Sequence, residues 1–163
     1  MDEKKAQGGF RLGEIMIQKG WITWEQLEEV LEEQKKTKEF TGEILVRKGY
    51  ISQSLLYKAL AEQYQMRFVD LKRIKINPKA VEFIPRSVAE KYSIIPIEMR
   101  EDVFLIGISN PLNVWPEVEL KQITKLNDIR TVLCLPSDIQ EAIKENYPAS
   151  EGSRVEKILK PNL

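Results

Sequence analysis

Histidine is absent from the 163 residues, and cysteine occurs once. Without histidine there is no imidazole base for a hydrolytic triad and no imidazole metal ligand. One cysteine excludes an internal disulfide and any cysteine-cluster zinc site. Cys134 lies in the apolar run TVLCL, where a small buried hydrophobe is expected. No apolar stretch approaches the roughly 20 residues a membrane helix needs. The opening MDEKKAQGG is polar and lacks the apolar core of a signal peptide. Excess charge is missing too. Lys and Arg total 25, as do Asp and Glu, whereas general nucleic-acid binders carry a basic surplus. The phosphate-loop pattern GxxxxGKS/T, the dinucleotide pattern GxGxxG and the nucleophile pattern GxSxG do not occur. These absences predict a soluble, cytoplasmic protein that is not an enzyme, takes no metal, does not insert into a membrane and does not use nucleic acid as partner. At 42% hydrophobic residues it can bury a core.

What is present is a repeat. GEIMIQKGWI, from Gly13, returns as GEILVRKGYI, from Gly42, 29 positions on. The windows 11–34 and 40–63 share 10 identities in 24 positions: Gly13/42, Glu14/43, Ile15/44, Lys19/48, Gly20/49, Ile22/51, Leu27/56, Leu31/60, Glu33/62 and Gln34/63. Such a match marks a tandem duplication. Each unit reads as a short helix, a turn and a longer helix. Gly20 and Gly49 suit the left-handed position just past a helix end. Thr23 with Gln26 makes a capping box. Ser52 caps the second long helix, with the box left incomplete by Leu55. Leu27, Val30, Leu31 and Gln34 fall on one helical face, and Leu56, Ala59, Leu60 and Gln63 repeat it.

From about Phe68 the pattern changes. FVDL reads as a brief strand. NPKAVEFIPRSVAEKY reads as short helical turns, and SIIPIEMREDVFLIGIS as two strands around MRED. NPLNVWPEVELKQIT suggests a turn and a helix with Pro116 in its first turn. DIRTVLCLP is a third strand, and PSDIQEAIKENY a last helix capped by Ser137 or Asp138. The predicted fold is α+β. A disordered lead, 1–9, precedes a helical subdomain of two tandem helix-turn-helix repeats, 10–66. A small α/β subdomain with a three-stranded sheet, 67–147, and a disordered tail, 148–163, follow.

Candidate functional residues come from the repeat. Arg11, Leu12 and Gly13 open the first short helix, where free N–H groups and the helix dipole favour an anion and arginine adds a forked donor. A surface arginine at an ordinary helix start is the plainer reading. Phe40, Thr41 and Gly42 hold the same places in the second unit. Gln34 and Gln63 place an amide on a leucine stripe, either to read a ligand or to end an exposed helix. Leu27, Leu31, Leu56 and Leu60 are core by spacing, although such a stripe can also floor a ligand groove. The acidic run EQLEEVLEEQ is a solvated face rather than a catalytic dyad.

RLGEIMIQKGWITWEQLEEVLEEQ followed by TGEILVRKGYISQSLLYKALAEQ resembles the N-terminal domain of type II secretion and type IV pilus assembly ATPases, the GspE N-terminal or MshEN domain. FVDL, IPRSVAEKYSIIPI, ISNPLNV and SDIQEAIKENY are similar to that bacterial family in the same order, so the resemblance covers about residues 10 to 147. It implies a regulatory domain that binds cyclic di-GMP, each repeat meeting one half of the two-fold symmetric nucleotide. Arg11, Leu12, Gly13, Leu27, Leu31 and Gln34 would form one half-site. Gly42, Leu56, Leu60 and Gln63 would form the other, with Phe40 and Thr41 beside them. The departures are Thr41 for leucine, Phe40 for a basic or polar residue, Asn110-Pro111 for Asp-Pro, and Val118-Glu119 near a usual aspartate. The alternative is a protein-interaction adaptor that docks a secretion or pilus assembly ATPase to an inner-membrane platform protein without binding nucleotide; the partners implied are the ATPase core or that platform protein.

Overall fold

The computed structural model describes residues 11–112 and 117–148. Chain contacts divide it into two compact units, 1–68 and 69–163. The expected lead, all of the expected tail but Pro148, and Pro116 lie outside the described residues.

The first unit is helical. Residues 11–18 form α1, Trp24–Thr37 α2, Thr41–Arg47 α3 and Gln53–Gln63 α4. The turns follow from the repeated residues. Gly20 (φ 72°) and Gly49 (φ 76°) are left-handed. The Gly20 N–H donates to Ile17 O and the Trp21 N–H to Met16 O, both 2.9 Å; Gly49 to Val46 and Tyr50 to Leu45, both 3.0 Å, repeat them. This paired closure satisfies carbonyls that a helix end leaves open. Thr23 and Gln26 form the expected capping box, and Ser52 Oγ accepts from the Leu55 N–H. The core gathers Leu12, Met16, Leu27 and Val30 from the first repeat with Ile44, Leu45, Leu56 and Ala59 from the second.

The second unit is built on a three-stranded sheet in the order β1-β2-β3: β1 Ile94–Arg100, β2 Val103–Ile108 and β3 Asp128–Leu133. β1 and β2 pair antiparallel through the two-residue turn Glu101-Asp102, shorter than MRED suggests. β2 and β3 pair parallel, which requires a crossover. That crossover contains α7, Glu117–Thr124. Pro96 is tolerated because β1 is an edge, and a bulge follows it. The helices α5 (Pro78–Val81), α6 (Arg86–Tyr92) and α8 (Pro136–Asn146) complete the unit. Phe104, Ile106, Ile94, Ile95, Leu133 and Ile139 are fully buried in it.

Two local expectations need correction. FVDL shortens to a single bridge residue, Phe68, with the Val69 N–H donating to Leu133 O of β3 at 2.9 Å; Asp70 then accepts the Lys72 N–H and turns the chain into a 3-10 turn, Leu71–Arg73. The last helix is capped at Leu135, not Ser137 or Asp138. Pro136 takes the first helical position, where its fixed φ fits and no N–H is missed, so the cap falls on Leu135 just before it. Cys134 is fully buried, and burial with nearby Asp138 and Asp70 pushes its thiol up to about 12.

Candidate functional site

In each repeat the glycine of the short helix is a seat for the leucine of the long one. A Cβ at Gly13 would lie 2.5 Å from Leu27 Cδ1 and 2.6 Å from Cδ2; a Cβ at Gly42 would lie 2.5 Å from Leu56 Cδ1 and 3.1 Å from Cδ2. Carbon atoms prefer about 3.5–4.0 Å. The space left by each missing side chain is therefore filled by protein.

The two repeats also exchange ion pairs. Lys19 Nζ lies 2.9 Å from Glu62 Oε2, and Lys48 Nζ lies 2.9 Å from Glu33 Oε2. Lys19 corresponds to Lys48, and Glu33 to Glu62. Each lysine thus takes the glutamate of the other repeat. Repeats related by simple translation would not do so, since the second lysine would reach onward to a third copy. Reciprocal contact between equivalent residues defines an isologous, two-fold relation.

The two sides of this exchange are unequal. On the α2–α3 side Lys48 also holds Glu29 at 2.8 Å, and the Tyr50 hydroxyl donates to Glu29 Oε2 at 2.7 Å. Arg47 pairs with Glu33 and, at 3.1 Å, with Glu39. Hydrogen bonds from Lys48 and Tyr50 hold Glu29 below the usual carboxylate range, and those from Arg47 and Lys48 do the same for Glu33. The same bonds, from Glu29 first and then Glu33, push the Lys48 ammonium up. On the α1–α4 side Lys19 has Glu62 and, 5.6 Å away, the Trp21 ring.

The candidate residues fall into two layers. Leu12, Gly13, Leu27, Gly42 and Leu56 are buried; Leu31 and Leu60 are half-buried against the same core, and Gln63 is half-buried. Gln34 is 9% exposed, so it does not end an exposed helix. Arg11 is exposed with no ion-pair partner among the described residues. Phe40 is half-exposed. Thr41, the counterpart of Leu12, is 2% exposed, and its hydroxyl has no hydrogen-bond partner. Sequence reasoning did not single out Lys19, Lys48, Glu33 and Glu62 as a set, although all four stand among the repeat identities.

In the α/β unit, Asn110 Oδ1 accepts the Leu112 N–H, Glu119 accepts from the Tyr92 hydroxyl at 2.6 Å, and Val118 is exposed. A cleft of 220 Å³ there is lined by Arg86, Glu90, Ser93, Gln140, Ile143 and Lys144, none of them a candidate from the repeats. It is smaller than the roughly 300 Å³ at which ligand pockets begin. Among the described residues no cluster of three or more Asp, Glu or Cys is placed to hold a metal, and no helix is long and apolar enough to cross a membrane.

Comparison with known proteins agrees with this architecture. The chain is 33% identical over 149 residues to the type IV pilus assembly ATPase PilB of Myxococcus xanthus, covering 91% of this chain and 26% of that protein. It is 36% identical over 145 residues to PilB of Thermus thermophilus, covering 88% of this chain and 16% of that one. The chain thus spans about a quarter or less of the curated relatives it matches. Among solved structures, that of MshE with cdg superposes with a TM-score of 0.72 at 25% identity, over 84% of this chain and 99% of the other. The N-terminal domain of XpsE superposes with a TM-score of 0.60 at 15% identity, over 86% and 96%, a likeness of fold. The model of the family described as the MshEN domain matches residues 64–153, more than half of the chain. The protein belongs to the MshEN domain family.

Proposed function

We propose that this chain is a non-catalytic regulatory domain of a secretion or pilus assembly ATPase and that its helical unit binds cyclic di-GMP. The observation that carries the reading is the two-fold exchange of Lys19–Glu62 and Lys48–Glu33. A ligand made of two identical halves matches a receptor made of two equivalent halves. The likeness to MshE, solved with cdg, supports the same ligand class.

The two layers divide the work. Leu12, Gly13 and Leu27, with Thr41, Gly42 and Leu56, are buried and set the shape of each half. Arg11, Leu31 and Gln34 meet one half of the nucleotide; Phe40, Leu60 and Gln63 meet the other. Gln34 fits this role because its side chain lies on the leucine face of α2 and is largely enclosed. Binding across both repeats favours one arrangement of the helical unit over others, and the ATPase reads that bias.

Calorimetric titration with cyclic di-GMP tests the reading. Saturable one-to-one heat is expected, with affinity reduced tenfold or more in Arg11→Ala. Absence of heat at high protein concentration overturns it. The repeats would then serve to dock the ATPase core or an inner-membrane platform protein, which a partner pull-down would identify.

A further inference from the structure

The two seams between the repeats share a scaffold but not its charges. Gly13 and Gly42 seat Leu27 and Leu56 alike, and the turns at Gly20 and Gly49 close alike. The difference lies around the two exchanged ion pairs, and every change runs the same way. On the α2–α3 side Lys48 sits between two carboxylates one helical turn apart, Glu29 at 2.8 Å and Glu33 at 2.9 Å. On the α1–α4 side Lys19 has Glu62 at 2.9 Å, the counterpart of Glu33, but the counterpart of Glu29 is Lys58, an exposed cation. Arg47, which pairs with both Glu33 and Glu39, corresponds to the neutral Gln18. Tyr50, whose hydroxyl donates across the repeats to Glu29, corresponds to Trp21. The Trp21 ring lies 5.6 Å from Lys19, a contact within one repeat that ties nothing across the seam. The side chains of Lys48 and Glu33 are 24% and 25% exposed, those of Lys19 and Glu62 38% and 53%, so solvent screens the second pair more.

We propose that the helical unit opens on one side: α1 parts from α4, with Lys19–Glu62 as the releasable catch, while α2 and α3 stay joined and act as the hinge. An isolated exposed ion pair contributes little, whereas several charges held in one network contribute more. Lys58 repels Lys19 from the place where Glu29 attracts Lys48. Two seams that share one core but differ in their ties part first at the weaker one, and such local opening lies below global unfolding in free energy. The device stands whether or not the unit takes a nucleotide. Any ligand or partner that draws α1 and α4 together shifts the same equilibrium toward the closed arrangement.

Amide hydrogen exchange of the full chain, read helix by helix and corrected for intrinsic rates, tests it. Amides of α1 and α4 should be protected about threefold less, or weaker still, than those of α2 and α3. Fraying of α1 from its own start would also speed exchange there, and variants separate the two. Gln18→Arg with Lys58→Glu rebuilds on the α1–α4 side the charges of the other. Protection of α1 and α4 should then rise about threefold to tenfold, with α2 and α3 unchanged, and the rise should vanish in about 1 M salt. Fraying would not respond to a charge placed on α4. Glu29→Lys should do the converse, lowering protection in α2 and α3. A circular-dichroism melt of each variant confirms folding. Equal protection of all four helices in the parent chain overturns the inference. Unchanged protection of α1 in the folded Gln18→Arg, Lys58→Glu variant overturns it as well.

Discussion

The first repeat is the better packed of the two, and the second is the better tied. Leu27 is 1% exposed where Leu56 is 7%. Leu12 completes the first apolar floor, while Thr41 leaves an unpaired hydroxyl in the second. Against this, the short helix of the second repeat carries Arg47 and Lys48 into a network with Glu29, Glu33, Glu39 and Tyr50. The short helix of the first has Lys19 on Glu62. Duplicated sequence keeps the geometry that both copies need and lets the rest drift, so the two copies share one core but differ in the surface charges added to it.

The largest effect should come from removing the better-packed leucine. Leu27→Ala is expected to cost about 3 kcal/mol and Leu56→Ala about 2, by urea unfolding, since the cost of a cavity rises with how completely the side chain was enclosed. Equal losses would mean that the two halves are packed alike. Filling the seats is the converse experiment. Gly13→Ala should destabilise by about 1–2 kcal/mol, overpacking against Leu27 outweighing the helix propensity gained. Gly42→Ala should be nearer neutral, because Leu56 Cδ2 stands farther back. Stabilisation by Gly13→Ala would show that Leu27 moves aside freely.

Thr41→Val restores an apolar side chain of the same shape where the first repeat has one. It should stabilise by about 1 kcal/mol, because it removes a buried hydroxyl without a partner. A loss would show that the hydroxyl is satisfied in solution. The smallest effects concern charge. Lys48→Met should lower the melting temperature more than Lys19→Met, and the difference should shrink in high salt. The pH dependence carries the same asymmetry. Glu29 and Glu33 are held below 4.5 in the folded protein, so their stabilisation is present above that pH and is lost as the pH falls through their folded values. Melting temperature should therefore drop below about pH 4.5, less steeply in Lys48→Met than in Lys19→Met.

Much of this was legible in the sequence because it is local. Thr23 with Gln26, Ser52, and the pair Gly20 and Gly49 act within a few residues of themselves, and the structure uses each as its chemistry suggests. The strands too announce themselves by composition. What was not legible depends on where a distant element lies. Gln34 is buried by neighbours brought in through tertiary packing, which helical spacing cannot supply. The exchange of Lys19 and Lys48 between repeats needs a two-fold relation that identity at a fixed offset does not distinguish from translation. For the candidate site, the residues around Arg11 and Phe40 were named from the repeat, but their sorting into a buried layer and an accessible one came only with the packing. Asp70 and Pro136 shifted element boundaries by competing locally with the pattern around them.

The reciprocal lysine–glutamate pairs are the contacts two separate copies of one short chain would make across a homodimer axis. Two such peptides would meet only as often as their concentration allowed. Joined by the three residues 38–40 between α2 and α3, they meet at the high effective concentration of a short tether, whatever the dilution. Joining also changes what a mutation can do. In a homodimer every substitution appears twice; in a fused pair it appears once, so one half can keep arginine while the other takes phenylalanine.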